Sequence, residues 1–152
     1  MFKLYNDNCF DIFQKLEDNS IDMVCVDPPY GTTSITWDNV LDFKKMWEEL
    51  SRVVKPKGNI LIFGSQPFSA FVITSNIKQF RYELIWNKNK CGSPGLAKIR
   101  PQKVHENIMV FSQEGGCTYN PIMEKGDAYE RISKNPEGYG SGRNTHGYGF
   151  GN

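Results

Sequence analysis

Residues 21–26 read Ile-Asp-Met-Val-Cys-Val, an apolar run broken only by Asp22, and two consecutive prolines, Pro28 and Pro29, cut it off. A segment this short and this apolar suits a strand buried on both faces, as in parallel sheets covered by helices. Proline lacks a backbone N–H and holds φ near −65°, so ladder pairing stops there and the chain leaves as a stiff, extended turn. A covering helix is legible at residues 41–54, where Phe43, Met46, Trp47, Leu50, Val53 and Val54 recur at helical spacing with Lys44, Lys45, Glu48 and Glu49 opposite. Pro56 and Gly58 read as its terminators. Residues 59–63, 80–86 and 107–111 are further strand candidates, residues 9–16 and 67–77 further helices, and residues 2–5 a short opening strand. This alternation predicts an α/β fold, a mostly parallel sheet with helices on both faces.

The chain's 152 residues, 39% hydrophobic and 23% charged, are close to globular averages, which excludes a disordered or fibrous chain. A chain of this size buries enough surface to fold without disulfides or a structural metal. Cys9, Cys25, Cys91 and Cys117 form no C-x-x-C pair, so free thiols are expected and no metal site. No apolar run approaches the ~20 residues of a membrane span, and the N-terminus MFKLYNDNCF carries acid and amide where a signal peptide is apolar. These features predict a cytoplasmic protein. Residues 117–152 contain no Leu or Val and seven of the fourteen glycines, so a core over 1–116 and a flexible Gly-rich segment over 117–152 are expected.

Charge is unevenly distributed. Residues 1–77 hold 7 basic and 10 acidic side chains, and residues 106–152 hold 4 and 6, whereas residues 78–105 hold 7 basic side chains against Glu83 alone. Within that stretch Lys88, Lys90, Lys98, Arg100 and Lys103 follow Phe80, Tyr82 and Trp86, a mixture suited to phosphates and base stacking. A solvated basic face is the plainer reading of the same residues.

The chemistry lies in Asp27-Pro28-Pro29-Tyr30. In an open α/β sheet, ligands bind beyond the carboxyl ends of strands, where this tetrapeptide falls. The Asp27 carboxylate and the Pro28 carbonyl are acceptors suited to the two hydrogens of a base amino group. Such an amine is a poor nucleophile because its lone pair is delocalised into the ring. Holding both hydrogens favours a pyramidal nitrogen with its lone pair aimed at an electrophile, a positional and electrostatic catalysis that needs no metal. Extruding a base from duplex DNA costs a few kcal/mol, and stacking on an aromatic ring such as Tyr30 returns ~1–3 kcal/mol. The plainer alternative is a rigid turn that caps a strand.

Together, LYNDNCFDIFQKLEDNSIDMVCVDPPYG, WEELSRVVKPKGNILIFGSQPFSAF, IWNK and HENIMVFS make the chain resemble, over about residues 2–125, the DNA amino-methyltransferases of the β motif order. The resemblance implies an incomplete Rossmann-like methyltransferase sheet, S-adenosylmethionine as cofactor and double-stranded DNA as partner, in a bacterial or phage-infected cell. It places Asp27, Pro28, Pro29 and Tyr30 at the target base, with Asp27 also at the cofactor. The family's Gly-Asp pair beside the cofactor corresponds to Asp7-Asn8, and residues 117–152 open the target-recognition region. DPPY is commoner with adenine than cytosine, so adenine-N6 methylation is the expected reaction. Cytosine-N4 methylation, a catalytically silent DNA-binding remnant and RNA methylation are the alternatives. Members of this order carry F-x-G-x-G after the variable region, and Asn152 precedes it. Two central strands are therefore expected to be absent between residues 2–5 and the 21–26 strand. The exposed strand edges would favour a homo-oligomer or a completing chain.

Overall fold

The computed structural model describes residues 2–31, 35–36, 38–92, 94–113 and 116–123. In chain order the elements are α1 (Cys9–Phe13), β1 (Ile21–Val26), α2 (Phe43–Val53), β2 (Val54–Gly64), α3 (Phe68–Ser75), β3 (Phe80–Asn87) and β4 (His105–Phe111), with one 3-10 turn at Pro94–Leu96. The chain divides into Met1–Asn120, which holds every one of these elements, and Pro121–Asn152. The Gly-rich segment expected over 117–152 lies mostly outside the described residues.

The four strands form one sheet in the order β1-β2-β4-β3. β1 runs parallel to β2, and β4 is antiparallel to both β2 and β3. The expected incomplete Rossmann-like α/β sheet is therefore present, with mixed strand directions and, among the described residues, helices on one face. That face holds the core. Ile60 and Ile62 of β2 and Met109 and Phe111 of β4 meet Met46, Trp47, Leu50 and Val53 of α2 and Phe68 and Val72 of α3. Phe10, Phe13 and Leu16 pack against its margin.

α2 starts where the Asp42 carboxylate accepts from the Lys45 amide at 3.2 Å and stops where Val54 turns extended. Arg52, in its last turn, donates to the carbonyls of Phe13 (2.7 Å) and Leu16 (3.0 Å), tying α2 to the chain that leaves α1. The same guanidinium holds the Glu49 carboxyl below the usual carboxylate range. Pro56 and Gly58, expected to terminate α2, instead lie within β2, which begins at Val54 rather than Asn59, one residue after the helix ends at Val53. The β1–β2 register shifts between Ile21 and Met23, and this irregularity accommodates a proline in a strand. A Cβ on Gly58 would lie 2.6 Å from Val54 Cγ1 and 2.8 Å from the Asp22 carbonyl, so glycine is required there.

Residues 2–5 do not form the expected strand: Phe2 and Leu4 are 85% and 87% exposed. A strand needs a neighbour to pair with, and among the described residues no strand lies beyond the outer edge of β1. On the sheet face opposite the core, Met23, Leu84 and Trp86 are exposed. Thr118 crosses part of it, its amide donating to the Lys57 carbonyl (3.1 Å) and its carbonyl accepting from the Asn59 side-chain amide (2.8 Å). No described helix is long and apolar enough to cross a membrane.

Candidate active site

The turn after β1 is held from three directions. Pro28 is buried, which anchors the turn, while Asp27 is exposed at the end of the strand. The Tyr30 ring lies half-buried and stacked on Phe68 of α3, centroids 4.8 Å apart and planes 24° from parallel. Gly31 sits at φ +67°, and its amide donates to Asp38 Oδ1 at 2.8 Å. A Cβ there would fall 2.6 Å from Val40 Cγ2, so both conformation and space demand glycine. Asp38 itself is only 7% exposed.

Tyr30 Oη donates to Asp27 Oδ1 at 2.6 Å. Burial, then this bond and the Asp27 charge, then the charge of Glu106, push the Tyr30 phenol well above its ordinary range, so it stays a donor at any ordinary pH. The other oxygen, Asp27 Oδ2, makes no hydrogen bond among the described residues, and the carboxylate is in no ion pair there. Rigid prolines, an exposed carboxylate and a braced aromatic ring thus converge at the carboxyl end of one strand. The arrangement can accept hydrogens from a polar group on a flat ring resting beside Tyr30.

The other expected site residues separate into groups. Lys88, Arg100 and Lys103 line one cavity of about 180 Å³ together with Ser65, His105 and Glu106. Lys88 Nζ is ion-paired with Glu106 and lies 5.3 Å from the Trp86 ring centroid. Lys103 Nζ donates to Ser65 Oγ at 2.7 Å. Lys90 and Lys98 are exposed and outside that lining. Asp7 and Asn8 lie at the start of α1: Asn8 Oδ1 caps the helix by accepting from the Phe10 amide at 3.0 Å, and Asp7 Oδ2 is 3.4 Å from Lys15 Nζ. A larger recess, about 610 Å³ between α2 and α3, includes none of the expected site residues.

Phe68, Asp38 and Ser65 are site residues that sequence reasoning missed. Phe68 follows Tyr30 by a whole strand and helix, so only the fold brings the rings together. Asp38 carried a weak signal, being the first carboxylate after a glycine whose positive φ leaves an amide to satisfy.

Comparisons with known proteins identify the family and the fold. The family model described as a DNA methylase, of the N6/N4 type, matches residues 21–149. The type II methyltransferase M.HpaI of Haemophilus parainfluenzae is 35% identical over 125 residues, covering 73% of this chain and 38% of that protein. M1.MboII of Moraxella bovis is 27% identical over 128 residues, covering 78% and 48%. The chain thus spans about half or less of the length of these curated relatives. Among solved structures, the M1.HpyAVI–SAM complex is similar with a TM-score of 0.59 at 20% identity, over 90% of this chain and 69% of that one. The PvuII DNA methyltransferase, described as cytosine-N4-specific, also gives 0.59, at 17% identity over 74% and 49%. With its proline-stiffened acidic turn inside the matched region, the chain belongs to the N6/N4 DNA methylase family.

Proposed function

We propose that this chain takes an adenine swung out of double-stranded DNA and presents its N6 amino group for methylation. One observation carries the reading: Asp27 is an exposed carboxylate on a turn fixed by Pro28, Phe68 and Asp38, with an aromatic ring beside it. Asp27 accepts one amino hydrogen and the Pro28 carbonyl the other, while the base rests against Tyr30, whose other neighbour is Phe68. To enter, the amine competes with the Tyr30 hydroxyl for Asp27 Oδ1 or takes Oδ2. Cytosine N4 is the second reading, because nothing in this clamp discriminates between two aromatic amines. Lys90, Lys98, Arg100 and Lys103 face the phosphate backbone. Lys88 contributes less than its charge implies, since Glu106 neutralises it. A second copy or a completing chain would take up the edge of β1 that no described strand pairs.

S-adenosylmethionine is the methyl donor this reading requires, supplying a sulfonium-bound electrophilic methyl group. The residues at the start of α1 fit such a group in part. Asp7 keeps an exposed carboxylate whose ion pair is long, and Asn8 Nδ2 makes no hydrogen bond among the described residues, but Asn8 Oδ1 is spent on the helix cap. Asp7 and Asn8 would therefore hold the donor's polar atoms, and Asp27 would hold the acceptor nitrogen.

Incubation with duplex DNA and methyl-labelled S-adenosylmethionine, followed by digestion to nucleosides, tests the reading. Label is expected in N6-methyldeoxyadenosine. Label in N4-methyldeoxycytidine selects the second reading, and transfer to RNA but not to DNA changes the substrate class. Label in neither, with no cofactor binding by calorimetry in the presence or absence of DNA, makes the chain a silent DNA-binding remnant.

A further inference from the structure

The strand directions put two sites at one end of the sheet, where strands start or finish. β1 and β2 end there, β4 begins there because it is antiparallel to β2, and β3 ends there because it is antiparallel to β4. Asp27, Ser65, Lys88 and His105 each adjoin one of those four ends, and neighbouring strands are only ~4.8 Å apart. The last three line the 180 Å³ cavity with Arg100, Lys103 and Glu106. It is smaller than the ~300–1,000 Å³ that encloses a drug-sized ligand, so it takes a group rather than a whole nucleoside.

Its charge identifies the group. Lys88, Arg100 and Lys103 face one carboxylate, Glu106, and Lys88 already neutralises that carboxylate. Among the described residues that line the cavity, two positive charges are left over. Lys103 Nζ is steered by Ser65 Oγ at 2.7 Å and retains further N–H donors. Arg100 follows the Pro94–Leu96 turn with its backbone amide tied to the Leu96 carbonyl at 3.1 Å, and its guanidinium makes no hydrogen bond or ion pair among the described residues. A planar guanidinium beside an ammonium suits a tetrahedral oxyanion.

The cavity is joined to the Asp27 turn. Ser65, on its rim, accepts at its carbonyl from the Ser69 amide (3.2 Å) at the start of α3, and Phe68 of that first turn carries the Tyr30 ring at 4.8 Å.

We propose that the cavity between Arg100, Lys103 and Ser65 is a phosphate subsite, holding one phosphodiester of the nucleotide whose base enters the Asp27 turn. This rests on the base-binding reading above. A base leaves the stack by rotation about its own backbone, so a grip on the adjoining phosphate fixes the pivot while Tyr30 receives the ring. It separates Arg100 and Lys103, which hold one defined phosphate, from Lys90 and Lys98, which add only diffuse attraction.

The test is a chemical-shift titration of the full chain with 2′-deoxyadenosine, its 5′- and 3′-monophosphates, and inorganic phosphate. One monophosphate is expected to bind at least about tenfold more tightly than the nucleoside and to move the Arg100, Lys103 and His105 amides together with Asp27 and Tyr30. In R100Q/K103Q, checked for an unchanged folded spectrum, that monophosphate is expected to bind no more tightly than the nucleoside. Equal binding of nucleoside and both monophosphates by the wild type, or an advantage that survives R100Q/K103Q, overturns the proposal. A nucleoside that moves neither Asp27 nor Tyr30 defeats the base-binding reading by itself. The subsite is then judged on inorganic phosphate alone: shifts at Arg100 and Lys103 retain an anion site, and their absence removes it.

Discussion

Asp27→Ala is expected to lower methyl transfer at least about 10²–10³-fold, the range seen when one preorganised electrostatic group is removed from a reacting centre. The effect has a positional part as well, because the amine then rests without a charged acceptor and its lone pair is no longer aimed. Stability should hardly change. The carboxylate is exposed, and its removal breaks a single hydrogen bond from Tyr30, so an effect within ~1 kcal/mol is expected. Tyr30→Phe is the matching control: it removes the hydroxyl from Asp27 Oδ1 but keeps the ring on Phe68, so activity should fall far less than with Asp27→Ala. Labelled-methyl transfer and urea unfolding measure the two quantities. A destabilisation of several kcal/mol with Asp27→Ala would assign the residue to the scaffold.

Phe111→Ala is expected to destabilise the chain by ~3–5 kcal/mol, a large share of the ~5–15 kcal/mol that holds a domain together. Phe111 is fully buried, with ring centroids 4.8 Å from Trp47 and 5.6 Å from Phe80. It is also paired in register with Ile60 on one side and Phe80 on the other, so its truncation opens a void where α2, β2 and β3 meet. Little of that void can close, because each wall is fixed by its own ladder or helix. Phe111→Leu keeps most of the volume and should cost much less. Urea midpoints at an unchanged slope check both values. A cost below ~1 kcal/mol for the alanine variant would mean that the layers are not locked together at this point.

The sequence revealed whatever depends on local pattern. β1 spans residues 21–26 as the apolar run and its prolines dictate, and α2 lies within two residues of its amphipathic stripe. The Asp27–Tyr30 turn is legible for the same reason, since four adjacent residues carry its chemistry. What depends on partners was not legible. Residues 2–5 have strand composition yet no described neighbour to pair with, and β2 begins five residues early because a register shift absorbs Pro56. Charge clustering along the chain marked the basic stretch, but only the fold separates Arg100 and Lys103, which share a cavity, from Lys90 and Lys98, which do not. The resemblance places Asp7-Asn8 beside the cofactor, and the fold adds that the Asn8 carboxamide oxygen also caps α1.

The clamp itself is tested most directly by comparing 2′-deoxyadenosine with its N6,N6-dimethyl derivative, whose amine has no hydrogens, in a titration followed at the Asp27 and Tyr30 amides. If the turn grips both amino hydrogens, the parent nucleoside shifts both resonances and binds at least about tenfold more tightly, a difference of ~1.4 kcal/mol. Equal affinity for the two nucleosides would contradict that grip and leave Asp27-Pro28-Pro29-Tyr30 as a structural turn.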